Sequence, residues 1–209
     1  LCNEYGVDET YFKGVKNEYA IDDKSPIIRD NNKCILCRRC VATCAKVQEI
    51  GVIGANNRGF DTYIGSAFEQ PLAATSCINC GQCIVACPVG ALYERDDTDG
   101  VFAALADPTK HTVICTAPSV RAQLGECFGY EPGTDVEGKM VAAIKRLGFD
   151  GVFDMNLTAD LTIMEEATEF LGRFKEGKNL PLITSCSPGW VKYCEHYFPE
   201  FTDNLSSCK

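Results

Sequence analysis

Eight of the fourteen cysteines stand in two runs of one spacing, Cys34-x2-Cys37-x2-Cys40-x3-Cys44 and Cys77-x2-Cys80-x2-Cys83-x3-Cys87-Pro88. This is ligand spacing. A short Cys-x2-Cys-x2-Cys loop wraps three thiolates around one [4Fe–4S] cubane, and the fourth thiolate comes from the other run. Cys34, Cys37, Cys40 and Cys87 are therefore expected to hold one cluster, and Cys77, Cys80, Cys83 and Cys44 the other. Backbone N–H groups of such loops can point at the sulfurs, and small residues (Gly81, Ala86) let the chain approach closely. Zinc takes Cys-x2-Cys in separated pairs, four ligands per ion, and fits two interlocked runs poorly. Thiols crowded at this spacing speak for metal in a reducing compartment rather than for disulfides. The first run has Ala45 where the second has Pro88, and residues 45–76 separate the two.

A ninth cysteine lies in Thr184-Ser185-Cys186-Ser187-Pro188-Gly189-Trp190, after an apolar run and before a helical one. At a helix N-terminus the dipole lowers a thiol's pKa. Cys186 is a candidate thiolate ligand, nucleophile or proton carrier, against the plainer reading of a buried structural cysteine. Cys115, Cys127 and Cys194 read as core or surface thiols and Cys2 as an ordinary helix residue. His111 and His196 lack ligand partners at suitable spacing.

The elements that must position these groups come from composition and periodicity. The chain has 209 residues, 45% hydrophobic and 23% charged, with a net charge of −9. These are globular values. The acidic balance argues against a nucleic-acid binder, and no apolar run is long enough to span a membrane. Residues 31–98 carry the cysteine runs and show little periodicity, so this part needs something at its centre. From residue 99 short apolar runs alternate with helical patterns, which suggests parallel βαβ units. Strands are expected at 112–115 and 152–155, and a third around Leu180, Leu182 and Ile183. Helices are expected at 119–128, from a capping box at 134–137 to 147, at 159–175 and at 188–197. The helix over 159–175 shows an apolar face of Met164, Ala167, Leu171 and Phe174. Opposite, Glu166, Glu169 and Arg173 fall within about 60° of one another, with Glu169 and Arg173 an i,i+4 pair. A solvated polar face is the plain reading of these three. The expected fold is an α+β ferredoxin-like module with two [4Fe–4S] clusters, followed by an α/β lobe with a short parallel sheet.

Taken together, these motifs resemble the [FeFe]-hydrogenase family. The resemblance rests on the double cysteine run, Thr116-Ala117-Pro118-Ser119, Pro132-Gly133-Thr134, the 160–166 helix segment, the 184–190 loop and Asn204-Leu205-Ser206-Ser207. It implies reversible H2 oxidation and proton reduction at an H-cluster, a [4Fe–4S] cubane linked to a two-iron CO/CN⁻ unit. It also implies that residues 1–30 link from an upstream domain and that 99–209 is the first lobe of a catalytic domain continuing past Lys209. In the family pattern Thr-Ser-Cys-Cys-Pro-x-Trp the first cysteine relays protons and the second ligates the cubane. Here Cys186 matches the relay, but Ser187 stands at the ligand position, and a hydroxyl is a much poorer iron ligand than a thiolate. Cys186 is therefore expected in either role, as proton relay or as metal ligand. The resemblance carries the proton path onto Glu166, Glu169, Ser206 and Arg173, and the two-iron contact onto Ala117, Pro118 and Ser119. Carboxylates suit such a path if burial raises their pKa.

The resemblance also implies an electron partner such as a ferredoxin or an NAD(P)H-linked subunit, H-cluster maturation proteins, and a cytoplasmic setting. As given, the chain lacks the later cubane cysteines and is expected to be inactive alone. Two other readings stand beside it: a ferredoxin-like electron-transfer subunit, and a non-catalytic homologue serving iron–sulfur assembly.

Overall fold

The structure, a computed structural model, describes residues 3–8, 11 and 17–208. The chain divides into two units, Leu1–Arg95 with Gly189–Phe198, and Asp96–Pro188 with Pro199–Lys209. The border at residue 96 falls where the sequence texture changes. Cys2 lies outside the described residues.

In the first unit, β1 (Ile27–Arg29) precedes the first cysteine run. After it come α1 (Arg39–Ala42), β2 (Gly54–Asn56), β3 (Tyr63–Gly65) and α2 (Gln82–Ala86), and β4 (Leu92–Glu94) closes the second run. Strands β1 and β4 pair antiparallel with Ile28 opposite Tyr93, so the two ends of the module are stitched together. The last residues of the segment 1–30 pair with the module. Ile27 and Ile28 are buried in β1, and Ile27 belongs to one apolar cluster with Leu92. Strands β2 and β3 form a second antiparallel pair inside the 45–76 insertion. Ile27, Ile53, Ile64, Leu72 and Leu92 make a small core, and Cys40 and Cys77 belong to it.

The second unit runs through α3 (Thr98–Ala106), β5 (Val113–Thr116), α4 (Pro118–Cys127), α5 (Glu137–Arg146), β6 (Gly151–Asp154) and α6 (Met155–Glu176). Strands β5 and β6 are parallel, Ile114 opposite Val152. The expected third strand does not form. Ile183 makes a single parallel bridge to Leu205, so among the described residues the parallel sheet has two strands. The capping box is also corrected: helix α5 begins at Glu137, whose N–H donates to the Asp135 carboxylate at 2.9 Å, while the Thr134 hydroxyl donates to Glu131 O at 2.7 Å. Helix α6 starts earlier than periodicity suggests, because Asp154 caps it by accepting from the Asn156 N–H at 2.9 Å.

The largest departure is the facing of α6. Met164, Leu171 and Phe174 are 67%, 54% and 64% exposed, whereas Glu166, Glu169 and Arg173 are half-buried. Within this chain the polar stripe is the packed one, because it finds backbone acceptors and donors to bond. The last helix, α7 (Pro188–Tyr197), matches its expected bounds. Its residues from Gly189 onward cluster with the first unit, a return the sequence did not announce. No described helix is long and apolar enough to cross a membrane.

Candidate functional site

The two runs build one backbone twice. Leu36 and Arg38 in the first have φ of 57° and 62°, and Asn79 and Gly81 at the matching positions of the second have 57° and 73°. Left-handed residues turn the chain tightly and are costly for non-glycine residues. Strain repeated at equal positions in two loops marks a shape demanded by what the loops hold. A short helix then follows each loop and presents the third cysteine of its run.

The thiols gather across the runs rather than within them. Cys34, Cys37 and Cys40 share a small cavity with Cys87, walled by Ile53 and Ile64. Cys77, Cys80 and Cys83 share another with Cys44, walled by Ile27 and Leu72. Among the described residues no three His, Cys, Asp or Glu side chains converge as a single ion would require; each quartet rings a cavity instead. Every described cysteine is a free thiol. Burial and the adjacent Cys34, Cys87 and Cys37 push the Cys40 thiol up to about 11. Burial and the adjacent Cys77, Cys80, Cys40 and Cys44 push Cys83 up to about 12. Thiolates crowded in apolar surroundings repel one another, and a cationic iron core reverses that balance.

The Ala45/Pro88 difference has a structural consequence. Past Cys44 the chain continues as a π-helical turn, Thr43–Val47. Pro88 disfavours the helical region for the residue before it, and Cys87 is extended, with ψ of 113°. The chain then curls back, and the Ala91 N–H donates to Cys87 Sγ at 3.2 Å. Burial pushes the Cys87 thiol up, but the N–H groups of Val89, Leu92, Ala91 and Gly90 outweigh it and hold the pKa below the ordinary thiol value. In the first loop the Leu36 N–H donates to Cys34 Sγ at 3.4 Å.

The second unit brings the remaining candidates onto one hydrogen-bonded framework. Segments 183–185 and 204–208 are zipped: the Ile183 N–H donates to Asn204 O at 2.8 Å and the Ser206 N–H to Ile183 O at 2.7 Å. The buried Ser185 hydroxyl lies 2.9 Å from Ser206 O and 2.7 Å from Cys208 O. This anchors the loop on which Cys186 and Ser187 stand exposed, immediately before α7. The Thr184 hydroxyl donates to Glu166 at 3.2 Å. Glu169 accepts from the Ser207 N–H at 3.1 Å, the Ser207 hydroxyl at 3.0 Å and the Ser206 hydroxyl at 3.4 Å. Its other oxygen lies 2.5 Å from the Arg173 guanidinium. Arg173 also donates to the backbone carbonyls of Asn179, Asp203, Asn204 and Leu205. Desolvation pushes the Glu169 carboxyl up, but the Ser207 donors and Arg173 outweigh it and hold the carboxyl below the usual value. The condition under which a carboxylate suits a proton path, a pKa raised by burial, is therefore not met at Glu169.

Ala117 caps α4, with Pro118 at its first position and Ser119 following, all three exposed. Thr184 and Ser207 are functional candidates that residue type alone did not single out. Their only signal was membership of the 184–190 and 204–207 motifs.

Comparison with known proteins covers both units. Residues 110–209 match the profile of the iron only hydrogenase large subunit, C-terminal domain. Residues 25–93 match the ferredoxin-like domain of NADH-quinone oxidoreductase subunit 3. The chain is 50% identical to the NADP-reducing hydrogenase subunit HndD of Solidesulfovibrio fructosivorans, over all of this chain and 37% of that protein. It is 46% identical to iron hydrogenase 1 of Clostridium pasteurianum, over 93% of this chain and 34% of that one. The chain therefore spans little more than a third of these relatives. An apo [FeFe]-hydrogenase HydA1 variant from Chlamydomonas reinhardtii superposes with a TM-score of 0.50 at 39% identity, covering 55% of this chain and 30% of that one.

Proposed function

Because this chain belongs to the [FeFe]-hydrogenase family, we propose that it is the electron-delivering module and first catalytic-lobe segment of a hydrogenase. The observation that carries the reading is the gathering of eight thiols into two quartets that each draw one cysteine from the other run. The donor set fits iron–sulfur clusters. Four thiols ring each cavity, apolar side chains make up most of the rest of its lining, and backbone N–H groups aim at Cys87 and Cys34. When bound, a [4Fe–4S] cluster accepts and passes one electron at a time. The chain's own part is to hold the thiolates in place, to shield them, and to fix the path between the two quartets.

For the H-cluster the chain offers a partial site. Cys186 is the one thiol of the 184–190 loop, and Ser187 stands beside it. Cys186 would either ligate the cubane or carry protons toward Glu166 through Thr184. Glu166, Glu169 and Ser206, with Arg173 fixing Glu169, form the proton path beyond it. Ala117, Pro118 and Ser119 would face the two-iron unit, whose chemistry when bound is the joining of two protons and two electrons into H2. Electrons would be exchanged with a ferredoxin or with an NAD(P)H-linked subunit, as the name of the HndD relative suggests. The compartment in this reading is the cytoplasm, in keeping with cysteines crowded at metal-ligand spacing.

The test is infrared spectroscopy of the full-length parent, produced anaerobically with the H-cluster maturation proteins. Sharp bands in the CO and CN⁻ stretching region support the reading. Their absence, with about eight irons retained per chain, overturns the hydrogenase assignment and leaves an electron carrier or an assembly homologue.

A further inference from the structure

Helix α7 brings a charge to the Cys77 end of the second thiol quartet, where the Cys77–Cys87 run has no lysine or arginine. The Lys192 ammonium donates to Cys77 O at 3.2 Å, across 115 positions of sequence. Nearby on the same helix, the Tyr197 hydroxyl donates to Ile50 O at 3.3 Å. Ile50 and Cys77 both line the cavity of the Cys44, Cys77, Cys80 and Cys83 quartet. That cavity has no charged residue in its lining, its polar members being Gln48 and Gln82. The other quartet's cavity is lined by Arg29 and Arg38. No lysine or arginine occurs between Cys77 and Cys87. Lys46, two residues from Cys44, is exposed, whereas half-buried Lys192 is a cation that the fold brings onto the backbone of Cys77.

We infer that Lys192 is a positioning residue for electron transfer, setting the reduction potential of the cluster held by Cys44, Cys77, Cys80 and Cys83. The inference rests on the cluster reading above. Reduction adds one electron, and so one negative charge, to an already anionic four-thiolate cluster. A fixed cation at one ligand's backbone stabilises that form more than the oxidised one, and low-dielectric surroundings strengthen the effect. Lys192 therefore makes its cluster easier to reduce. The residue lies on the helix that leaves the Cys186 loop, so the quartet it tunes is tied by continuous chain to the catalytic segment.

The test uses the whole 209-residue chain with its clusters reconstituted anaerobically. Iron and sulfide are counted, and both midpoint potentials are read by electron paramagnetic resonance during a dithionite titration. Lys192→Gln keeps an N–H donor for Cys77 O but removes the charge, and Lys192→Arg keeps both. The expected result is one midpoint moved to more negative potential in Lys192→Gln, the other unmoved, and parental values in Lys192→Arg. Unmoved midpoints in Lys192→Gln, or an equal movement in Lys192→Arg, overturn the inference while about eight bound irons leave the cluster reading standing. A parental chain that binds markedly fewer irons overturns the cluster reading and this inference with it.

Discussion

The backbone N–H of Ala91 donates to the sulfur of Cys87 at 3.2 Å, and it can do so because Pro88 holds Cys87 extended, so that helix α2 stops at Ala86. Run one, with Ala45 in that place, carries Cys44 in a helical turn instead. Two runs of equal spacing therefore present their last thiols in unlike surroundings, and this asymmetry is accessible to mutation.

Replacing Pro88 by Ala lets the chain after Cys87 remain helical, as it does after Cys44. The N–H donors around Cys87 are then lost, and N–H···S bonds favour the reduced, more negative cluster. Pro88→Ala is expected to retain both clusters and to move one midpoint to more negative potential in an anaerobic redox titration. Unchanged midpoints would show that the turn at 88–91 does not tune the cluster.

The left-handed loop positions make a stability prediction. Gly81 has φ of +73°, and a Cβ added there would have nothing within 4 Å, so a side chain meets conformational strain but no clash. Gly81→Val is expected to cost about 1–2 kcal/mol. Arg38→Gly, at the matching position of the first run, is expected to relieve strain and to leave cluster loading intact. Denaturant unfolding of the cluster-loaded chain, followed by loss of visible absorbance, reads both.

Arg173 and Glu169 hold the 204–207 segment on α6. Arg173→Ala removes a charged donor set from four backbone carbonyls and leaves Glu169 without its cation, and is expected to destabilise the second unit by about 2–3 kcal/mol. Glu169 also gives a pH signature. Its folded pKa lies below the unfolded value of about 4.3, so its contribution is present above that pH and lost as pH falls through the folded value. Unfolding midpoints measured by circular dichroism are expected to fall on acidification more steeply in the parent than in Glu169→Gln. Parallel curves would mean that the Glu169 carboxylate is not stabilised by its Ser207 and Arg173 partners.

Legibility from sequence followed the range of the interaction. Three thiols of each quartet could be written down from spacing, because a loop a few residues long gathers them, and the fourth came from the general pattern of paired runs. Helix α7 was bounded correctly by Pro188. What failed depended on neighbours distant in sequence. The apolar stripe of α6 predicts a buried face, yet Glu169 and Arg173 turn inward because Ser207 and the carbonyls of 203–205 offer them bonds. Ile183 reads as a strand residue and finds one bridging partner, Leu205, rather than a sheet edge. Lys192 carries no local signal, since its partner Cys77 lies in a different element far away in the chain.

The central claim is that each cluster draws its fourth thiolate from the opposite run. Pairs of Cys→Ala substitutions in the reconstituted chain separate this from pairing within a run. Cys34→Ala with Cys87→Ala removes two ligands of one quartet, and the chain is expected to keep about four irons. Cys34→Ala with Cys44→Ala strikes both quartets, and the chain is expected to keep neither cluster intact. The reverse pattern, about four irons retained without Cys34 and Cys44 and none without Cys34 and Cys87, would contradict the crossed arrangement.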